Sequence, residues 1–360
     1  MNAKDMRLVW LIRFAIVFTL GVIVLGAYTR LTNAGLGCPD WPGCYGQLTV
    51  PASSSDLQKA SELFPGNTVD QPKAWAEMVH RYFAGSLGLL IFAITYIVLK
   101  TRQAGVFLPV SLSALVVGQA LLGMWTVTLK LMPIIVLAHL FGGFTLLCLL
   151  VLLHARLTSG VGYFGDTIAP ANPSTRYIAP ITLAVVIIQI FLGGWTSSNY
   201  AALMCTTLPI CQGDWTSFLD FRNAFTLYQP GHENYEFGVL EYPARMTIHI
   251  THRIGAIVTL ITVATLCWSL YRQPDYRRVS TLLFLLLAIQ FTLGISNIVF
   301  HLPLAVAVMH NLGGALLLAC TVQVNYMIFA TSTSADTASA RGNDLAGSKY
   351  LTRNTGGSHE

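Results

Sequence analysis

The chain has 360 residues, of which 54% are hydrophobic and only 10% are charged. Soluble globular domains carry about 25% charged residues, so this composition excludes a soluble protein and predicts an all-α integral membrane protein. The formal net charge of +5 does not indicate nucleic-acid binding, because the basic residues are scattered along the chain and form no patch.

Eight apolar stretches are long enough to cross a hydrocarbon core about 30 Å thick, which requires roughly 20 residues per helix. Helices are expected because lipid offers no partners for unpaired backbone groups, and the sequence shows no alternating barrel pattern. The eight predicted spans are residues 9–28, 75–99, 106–129, 134–153, 178–195, 246–271, 281–300 and 304–331.

The placement of Lys and Arg predicts the orientation of these spans. With the N-terminus inside, 13 of the 21 Lys and Arg residues fall on inner segments and eight on outer segments. This excess places both termini in the cytoplasm. Because only a few residues precede the first span, we expect no amphipathic presequence, which favours a bacterial inner membrane.

The sequence contains an internal repeat. The matched pairs are Gly26/Gly193, Cys38/Cys205 and Cys44/Cys211 at an offset of 167, His80/His252 at 172 and His139/His310 at 171. With four spans each, both halves enter the membrane in the same sense, so we predict two parallel four-helix bundles related by a pseudo-twofold axis. The predicted units are residues 1–155, residues 156–331 and a Ser/Thr/Ala/Gly-rich cytoplasmic tail, residues 332–360, that we expect to be disordered.

Each half places two histidines on different predicted helices, His80 with His139 and His252 with His310. Two facing imidazoles are typical of axial ligation of haem iron. A glycine pair begins three residues after His139 and after His310, and would let the backbone approach a flat macrocycle. The alternatives are histidines that only form hydrogen bonds within the bundle, or zinc, for which neither half supplies an evident tetrahedral ligand set.

Three arginines near the outer ends of helices are candidates to bind the propionates of such a macrocycle. Arg81 and Arg253 directly follow His80 and His252, and Arg30 lies just beyond the first span. A guanidinium can bind a carboxylate through two charge-assisted hydrogen bonds, which also orient the bound group.

Glu77 breaks the repeat, because its counterpart in the second half is His249. It precedes His80 by three residues and so shares its helical face. A carboxylate within a membrane span is costly and indicates a functional site, here an acid/base group. The structural alternative is an interfacial residue paired with Arg81 or Arg30. The asymmetry suggests that the first half performs chemistry while the second half holds a permanent cofactor.

Two cysteine pairs, Cys38 with Cys44 and Cys205 with Cys211, have the same separation of six residues. Both pairs fall in long connections on the predicted oxidising side, so we expect two disulfides, each within one loop. The default interpretation is a structural staple over each site. The alternative is a redox-active pair, which applies above all to Cys38 and Cys44.

These motifs together resemble those of the haem A synthase family, over nearly all of residues 9–330. The motifs that carry the resemblance are Arg30-Leu-Thr, Gly35-Leu-Gly-Cys38-Pro-Asp-Trp-Pro-Gly-Cys44, Glu77-Met-Val-His80-Arg81, His139-Leu-Phe-Gly-Gly, His252-Arg253 and His310-Asn-Leu-Gly-Gly. The resemblance implies an eight-helix enzyme that oxidises a methyl group of haem O to a formyl group, giving haem A for terminal oxidases. Successive hydroxylations would give a geminal diol, which loses water.

The resemblance also implies a role for each site residue. His252 and His310 would be the axial ligands of a bound haem b that carries electrons. His80 and His139 would bracket the substrate haem O, and Glu77 would be the acid/base group. The implied partners are a haem O synthase, terminal oxidase assembly factors, membrane lipid and an electron acceptor that the sequence does not identify.

Two other functions would use the same histidines. A transmembrane di-haem b-type electron carrier would leave both haems unchanged. All four histidines are predicted on the outer third of their helices, which argues against a carrier. Electron transfer across the lipid would favour haems stacked from both sides of the membrane. A haem transporter without haem chemistry is the other alternative, and it would need no Glu77.

Overall fold

The computed structural model describes residues 3–102, 104–158, 169–209 and 211–353. These residues form ten α-helices and no β-strand, and eight of the helices are long and apolar enough to cross a membrane. The expectation of an all-α membrane protein with eight spans is therefore confirmed. The membrane helices are α1 (Ala3–Leu31), α3 (Gln71–Thr101), α4 (Phe107–Thr128), α5 (Pro133–Thr158), α6 (Pro173–Ser198), α8 (Tyr242–Tyr271), α9 (Arg277–Val299) and α10 (Leu304–Arg353). Two short helices, α2 (Ser54–Leu63) and α7 (Phe221–Ala224), lie in the long connections.

Local sequence sets the ends of several helices. Asp70 precedes α3, and its carboxylate accepts a hydrogen bond from the Lys73 amide at 3.2 Å. This contact satisfies one of the amides that the first turn of a helix leaves free. Pro133 opens α5, where the missing amide hydrogen costs no helical hydrogen bond.

The turns that precede α5 and α10 have the same backbone conformation. Lys130 and Leu131 have φ of 51° and 63°, and His301 and Leu302 have φ of 56° and 63°. In each turn the leucine amide donates to the carbonyl five residues earlier, at 2.8 Å in the first half and 2.7 Å in the second. The repeat seen in the sequence therefore extends to the backbone.

In each half, four membrane helices pack in a closed ring. In the first half α1 and α4 both contact α3 and α5, and in the second half α6 and α9 both contact α8 and α10. The halves meet where α10 contacts α1 and α5, and where α5 contacts α6. A buried apolar core crosses this junction and includes Phe144 and Leu147 of the first half with Leu266 and Leu317 of the second. The pseudo-twofold relation between the bundles stays a prediction.

The end of α10 differs from the expectation for the tail. The helix continues to Arg353, so residues 332–353 are helical where the sequence analysis expected disorder, and residues 354–360 lie outside the described residues. Extending a helix that has already formed avoids the cost of nucleation.

Candidate functional site

One continuous cavity of about 1850 Å³ lies between the membrane helices and reaches into both halves. Ligand pockets typically measure about 300–1,000 Å³, so this cavity has room for more than one ligand of ordinary size. Its wall includes the site residues that the sequence analysis selected on the helices, namely Arg30, Glu77, His80, Arg81, His139, His252, Arg253 and His310.

His80 and His139 face each other across this cavity. Their ring centroids are 6.5 Å apart and their planes are inclined by 85°. A metal–imidazole bond is about 2 Å long, so two imidazoles on opposite sides of one metal ion hold their ring centres roughly 6 Å apart. The observed spacing fits a single metal ion between the two rings.

A glycine of a neighbouring helix faces each of the four histidine rings. A Cβ added to the glycine would lie close to histidine Cε1, at 2.9 Å for Gly26/His80, 3.5 Å for Gly123/His139, 3.1 Å for Gly193/His252 and 3.2 Å for Gly294/His310. At three of these sites even a methyl group would crowd the ring. These contacts were not predicted from the sequence, although the offset of 171 between Gly123 and Gly294 is a signal that indicates the second pair.

His252 and His310 line the part of the cavity that belongs to the second half. The carboxamide of Gln189 lies 3.1 Å from His252 Nδ1 and donates to the His252 carbonyl at 3.0 Å. The carboxamide of Gln290 lies 3.5 Å from His310 Nε2. Only the His252 contact lies at Nδ1, the ring nitrogen that a metal ion bound at Nε2 would leave free, and a neighbour at that nitrogen restricts the orientation of a metal-binding imidazole. Sequence reasoning missed Gln189, which precedes Gly193 by four residues as Gln290 precedes Gly294.

The described residues offer no complete metal site of their own. No group of three or more His, Cys, Asp or Glu side chains converges within that part of the chain. A metal ion between two imidazoles would therefore need further ligands from outside the protein. A porphyrin supplies four nitrogen ligands and leaves two axial positions for histidines, so the donor set fits a haem.

Glu77 is buried, with 5% of its surface exposed. Its Oε1 pairs with Arg81 at 2.5 Å, and its Oε2 accepts a hydrogen bond from the Cys38 amide at 2.9 Å. Arg81 also donates to the carbonyl of Gly43 in the same loop. The pairing of Glu77 with Arg81 that the sequence analysis considered is therefore present, and the two side chains attach the first cysteine loop to α3.

The second half attaches its cysteine loop in the same way without a carboxylate. Arg253 donates to the carbonyls of Cys205 and, at 2.9 Å, Thr207. Its Nε donates to Nε2 of His249 at 2.8 Å, and Nδ1 of His249 donates to the carbonyl of Ala201 at 2.8 Å. Both loop-binding arginines are thus engaged by the protein itself, and their binding of propionates stays a prediction.

Arg30 connects the two halves. Its guanidinium lies 4.1 Å from the ring centre of Tyr200, donates to the Tyr200 hydroxyl at 2.7 Å and donates to the Ser197 carbonyl at 2.9 Å. Its Nε is buried and has no hydrogen-bond partner among the described residues. Arg30 lines the cavity, and its binding of a propionate also stays a prediction.

Both expected disulfides are present. Cys38 bonds Cys44 with an S–S distance of 2.04 Å, and Cys205 bonds Cys211 with an S–S distance of 2.12 Å. Cys38 and Cys44 are completely buried, and Tyr45 of the same loop is 3% exposed. Burial raises the pKa of the Tyr45 phenol above its ordinary value of 10.0, and nearby carboxylates act in the same direction.

Comparison with known proteins identifies relatives along nearly the whole chain. A family model described as cytochrome oxidase assembly protein matches residues 9–322. A protein named haem A synthase from Shewanella oneidensis is 51% identical over 332 residues, which are 91% of this chain and 99% of that protein. Relatives of the same name from Chelativorans sp. and Agrobacterium fabrum are 27% and 28% identical, over 84% and 88% of this chain and 85% and 88% of their own lengths. The chain therefore belongs to the haem A synthase family of cytochrome oxidase assembly proteins.

Proposed function

We propose that this chain is a haem A synthase, an oxidoreductase that converts a methyl group of haem O to the formyl group of haem A. The relative that is 51% identical, matched over 99% of its length, carries that name. The observation that carries the proposal is the spacing of the His80 and His139 rings for one metal ion, with the buried carboxylate of Glu77 one helical turn away. An electron carrier or a haem transporter would not need that carboxylate.

In the first half, His80 and His139 would bind the iron of haem O from its two faces. Gly26 and Gly123 leave each imidazole room and limit where its ring can lie. The plane of the substrate would therefore be fixed relative to α3. Because residues three positions apart share a helical face, Glu77 would lie beside the substrate that His80 binds.

Glu77 would accept and pass on the protons that oxidation of a methyl group releases. Arg81 and the Cys38 amide each bind one of its carboxylate oxygens, which fixes the position of the group. Each oxygen can accept more than one hydrogen bond, so both retain capacity for a proton from the substrate side. General acid–base catalysis of this kind contributes typically about 10²- to 10⁴-fold in rate.

In the second half, His252 and His310 would hold haem b, which when bound supplies one-electron redox chemistry. The residues present fit such a group. Gly193 and Gly294 give the two imidazoles room, and Gln189 contacts the ring of His252. Arg253 would keep the second cysteine loop closed over this part of the cavity.

The eight spans make the chain a multi-pass membrane protein. We further propose that it lies in a bacterial inner membrane with both termini in the cytoplasm, which puts the two disulfides on the oxidising side. A haem O synthase would supply the substrate, and the product would pass to terminal oxidase assembly. Because the reaction is an oxidation that adds an oxygen atom to the methyl carbon, an electron acceptor and a source of that oxygen are also required.

The proposal is tested by measuring the haem pigments of cells that produce the Glu77→Gln variant. The amide oxygen can still accept the hydrogen bond of the Cys38 amide, but the side chain no longer transfers a proton. We expect haem A to fall by about 100-fold or more and haem O to accumulate, while the purified protein retains haem b. Glu62→Gln, at an exposed carboxylate of α2, is the matched control. Wild-type levels of haem A in the Glu77→Gln cells would remove Glu77 from the mechanism.

The assignment of the two halves has a separate test. His252→Ala should remove haem b from the purified protein, because one of the two residues that would hold it is lost. His80→Ala should leave that haem in place and stop production of haem A. If haem b survives the first substitution and is lost in the second, the cofactor and substrate sites are reversed.

A further inference from the structure

A glutamine accompanies three of the four cavity histidines. It precedes by four residues the glycine that faces the histidine ring, as Gln119 before Gly123, Gln189 before Gly193 and Gln290 before Gly294. Residues four apart lie on the same side of a helix, so each glutamine shares the face of its glycine. The corresponding residue before Gly26, which faces His80, is Val22.

A second glycine makes room for each glutamine. It follows the histidine by three residues, and a Cβ there would overlap the carboxamide, as at Gly142 with Gln119, Gly255 with Gln189 and Gly313 with Gln290. Three residues after His80 the chain has Phe83, whose ring packs against Phe18. Glutamine and glycine therefore occur together at three histidines and are both missing at His80.

Packing alone does not explain these glutamines. Each has one buried carboxamide atom without a hydrogen-bond partner among the described residues, namely Gln119 Nε2, Gln189 Oε1 and Gln290 Oε1. A buried polar atom without a partner costs stability, and an aliphatic side chain of similar size would avoid that cost. The glutamines are therefore expected to act on groups inside the cavity.

Gln189 indicates what that action is. Its carboxamide contacts His252 Nδ1 at 3.1 Å and donates to the His252 carbonyl at 3.0 Å, so it connects the imidazole ring to the helix that carries it. The carboxamide fills the space beside Nδ1, so the ring has little room to turn and Nε2 keeps one direction. If its bond to iron breaks, the bond can form again before the porphyrin leaves.

We propose that Gln189 and Gly255 make the second half retain its haem, and that Val22 and Phe83 make the first half release its porphyrin. This inference rests on the proposed function, in which one half holds a cofactor and the other must exchange haem O for haem A. His80 has apolar residues at both positions where His252 has the glutamine and its glycine. Gln189 is thus a positioning residue. The residues at its position and at the position three after the histidine together determine whether a site retains or exchanges its porphyrin.

Exchanging these residues between the halves tests the proposal. Gln189→Val combined with Gly255→Phe gives the second half the residues of the first. In detergent-purified protein we expect ferric haem b to transfer to excess apomyoglobin about 10- to 100-fold faster than from the wild type, the usual effect of removing a hydrogen-bonding neighbour of a metal ligand. Ile188→Val combined with Val258→Phe, at exposed positions of the same two helices, is the matched control.

The reciprocal exchange is Val22→Gln combined with Phe83→Gly. After incubation with ferric haem b and gel filtration, this variant should keep a second porphyrin per chain that the wild type loses. Adding His80→Ala should remove that second porphyrin. Wild-type transfer rates in the first exchange, or no additional retention in the second, would overturn the proposal.

A second variant and a separate readout accompany these exchanges. If Gln189→Val with Gly255→Phe does not fold, Gly255→Ala alone displaces the carboxamide from His252 and should also accelerate transfer. The transfer rates are measured with haem b and without turnover, whereas the proposed function is tested by haem A content in Glu77→Gln cells. Either inference can therefore fail while the other stands.

Discussion

Removal of the Arg81 guanidinium should detach the first cysteine loop from α3. The side chains of Arg81 and Glu77 are 12% and 6% exposed, and their charged atoms are 2.5 Å apart. Arg81→Ala would leave the buried carboxylate without its counter-charge and would also remove the donor to the Gly43 carbonyl. Breaking a buried pair on one side costs about 3–5 kcal/mol. At the lower limit, the population of the open loop rises roughly 100-fold, since about 1.4 kcal/mol corresponds to a factor of ten.

The rate at which a phosphine reduces the first disulfide reports this opening, because Cys38 and Cys44 are completely buried when the loop is closed. Lys73→Ala is the control, since the Lys73 ammonium forms an exposed ion pair with Asp70 at 4.0 Å and the substitution leaves the Lys73 backbone in place. Surface pairs contribute about 0–1 kcal/mol, so reduction should accelerate by no more than about fivefold. Reduction of the Arg81→Ala protein at the wild-type rate would show that the ion pair does not hold the loop.

Two further predictions concern other parts of the first half. Gly26→Val should weaken binding of ferric haem b to the first half of a His252→Ala protein, measured by spectrophotometric titration, because the added Cβ lies 2.9 Å from His80. Gly21→Val is the control and should leave the titration unchanged, because a Cβ there meets no atom within 4 Å. Burial raises the pKa of Tyr45 above 10.0, so the folded loop favours the neutral phenol and becomes less stable as pH rises past that value. Ionisation of a tyrosine changes its ultraviolet absorbance, and the part of the change that Tyr45→Phe removes belongs to Tyr45. We expect that part to have its midpoint above pH 10, and a midpoint at the ordinary value of 10.0 would contradict the prediction.

Composition and the internal repeat were sufficient to predict several features of this protein. A charged content of 10% and eight apolar stretches indicate eight spans. The common offset of the cysteines indicates the two disulfides, which the structure contains. The pairing of His80 with His139 followed from their matching places in each half, and their rings do face each other. These features depend on spacing along the chain, which a sequence displays directly.

The neighbours of the site residues could not be predicted in the same way. Which face of α6 meets α8 depends on how the helices rotate and cross, so periodicity did not place Gln189 beside His252. An arginine at a helix end can donate to a propionate or to a backbone carbonyl. Which acceptor Arg81 and Arg253 bind depends on the path of each cysteine loop, and the cysteine spacing does not determine that path.

Differences between the halves converge on one histidine. Glu77 and Phe83 lie three residues before and after His80 on α3, and Val22 lies on α1, which packs against it. Two copies of an unchanged bundle would bind two identical ligands with equal strength. A protein that retains one porphyrin and transforms another requires a proton-transfer group at only one of the two sites. It also requires that site to bind its porphyrin more weakly than the other site does. Glu77 would supply the first, and replacement of the glutamine and glycine by Val22 and Phe83 would supply the second, so both requirements are met by residues around His80.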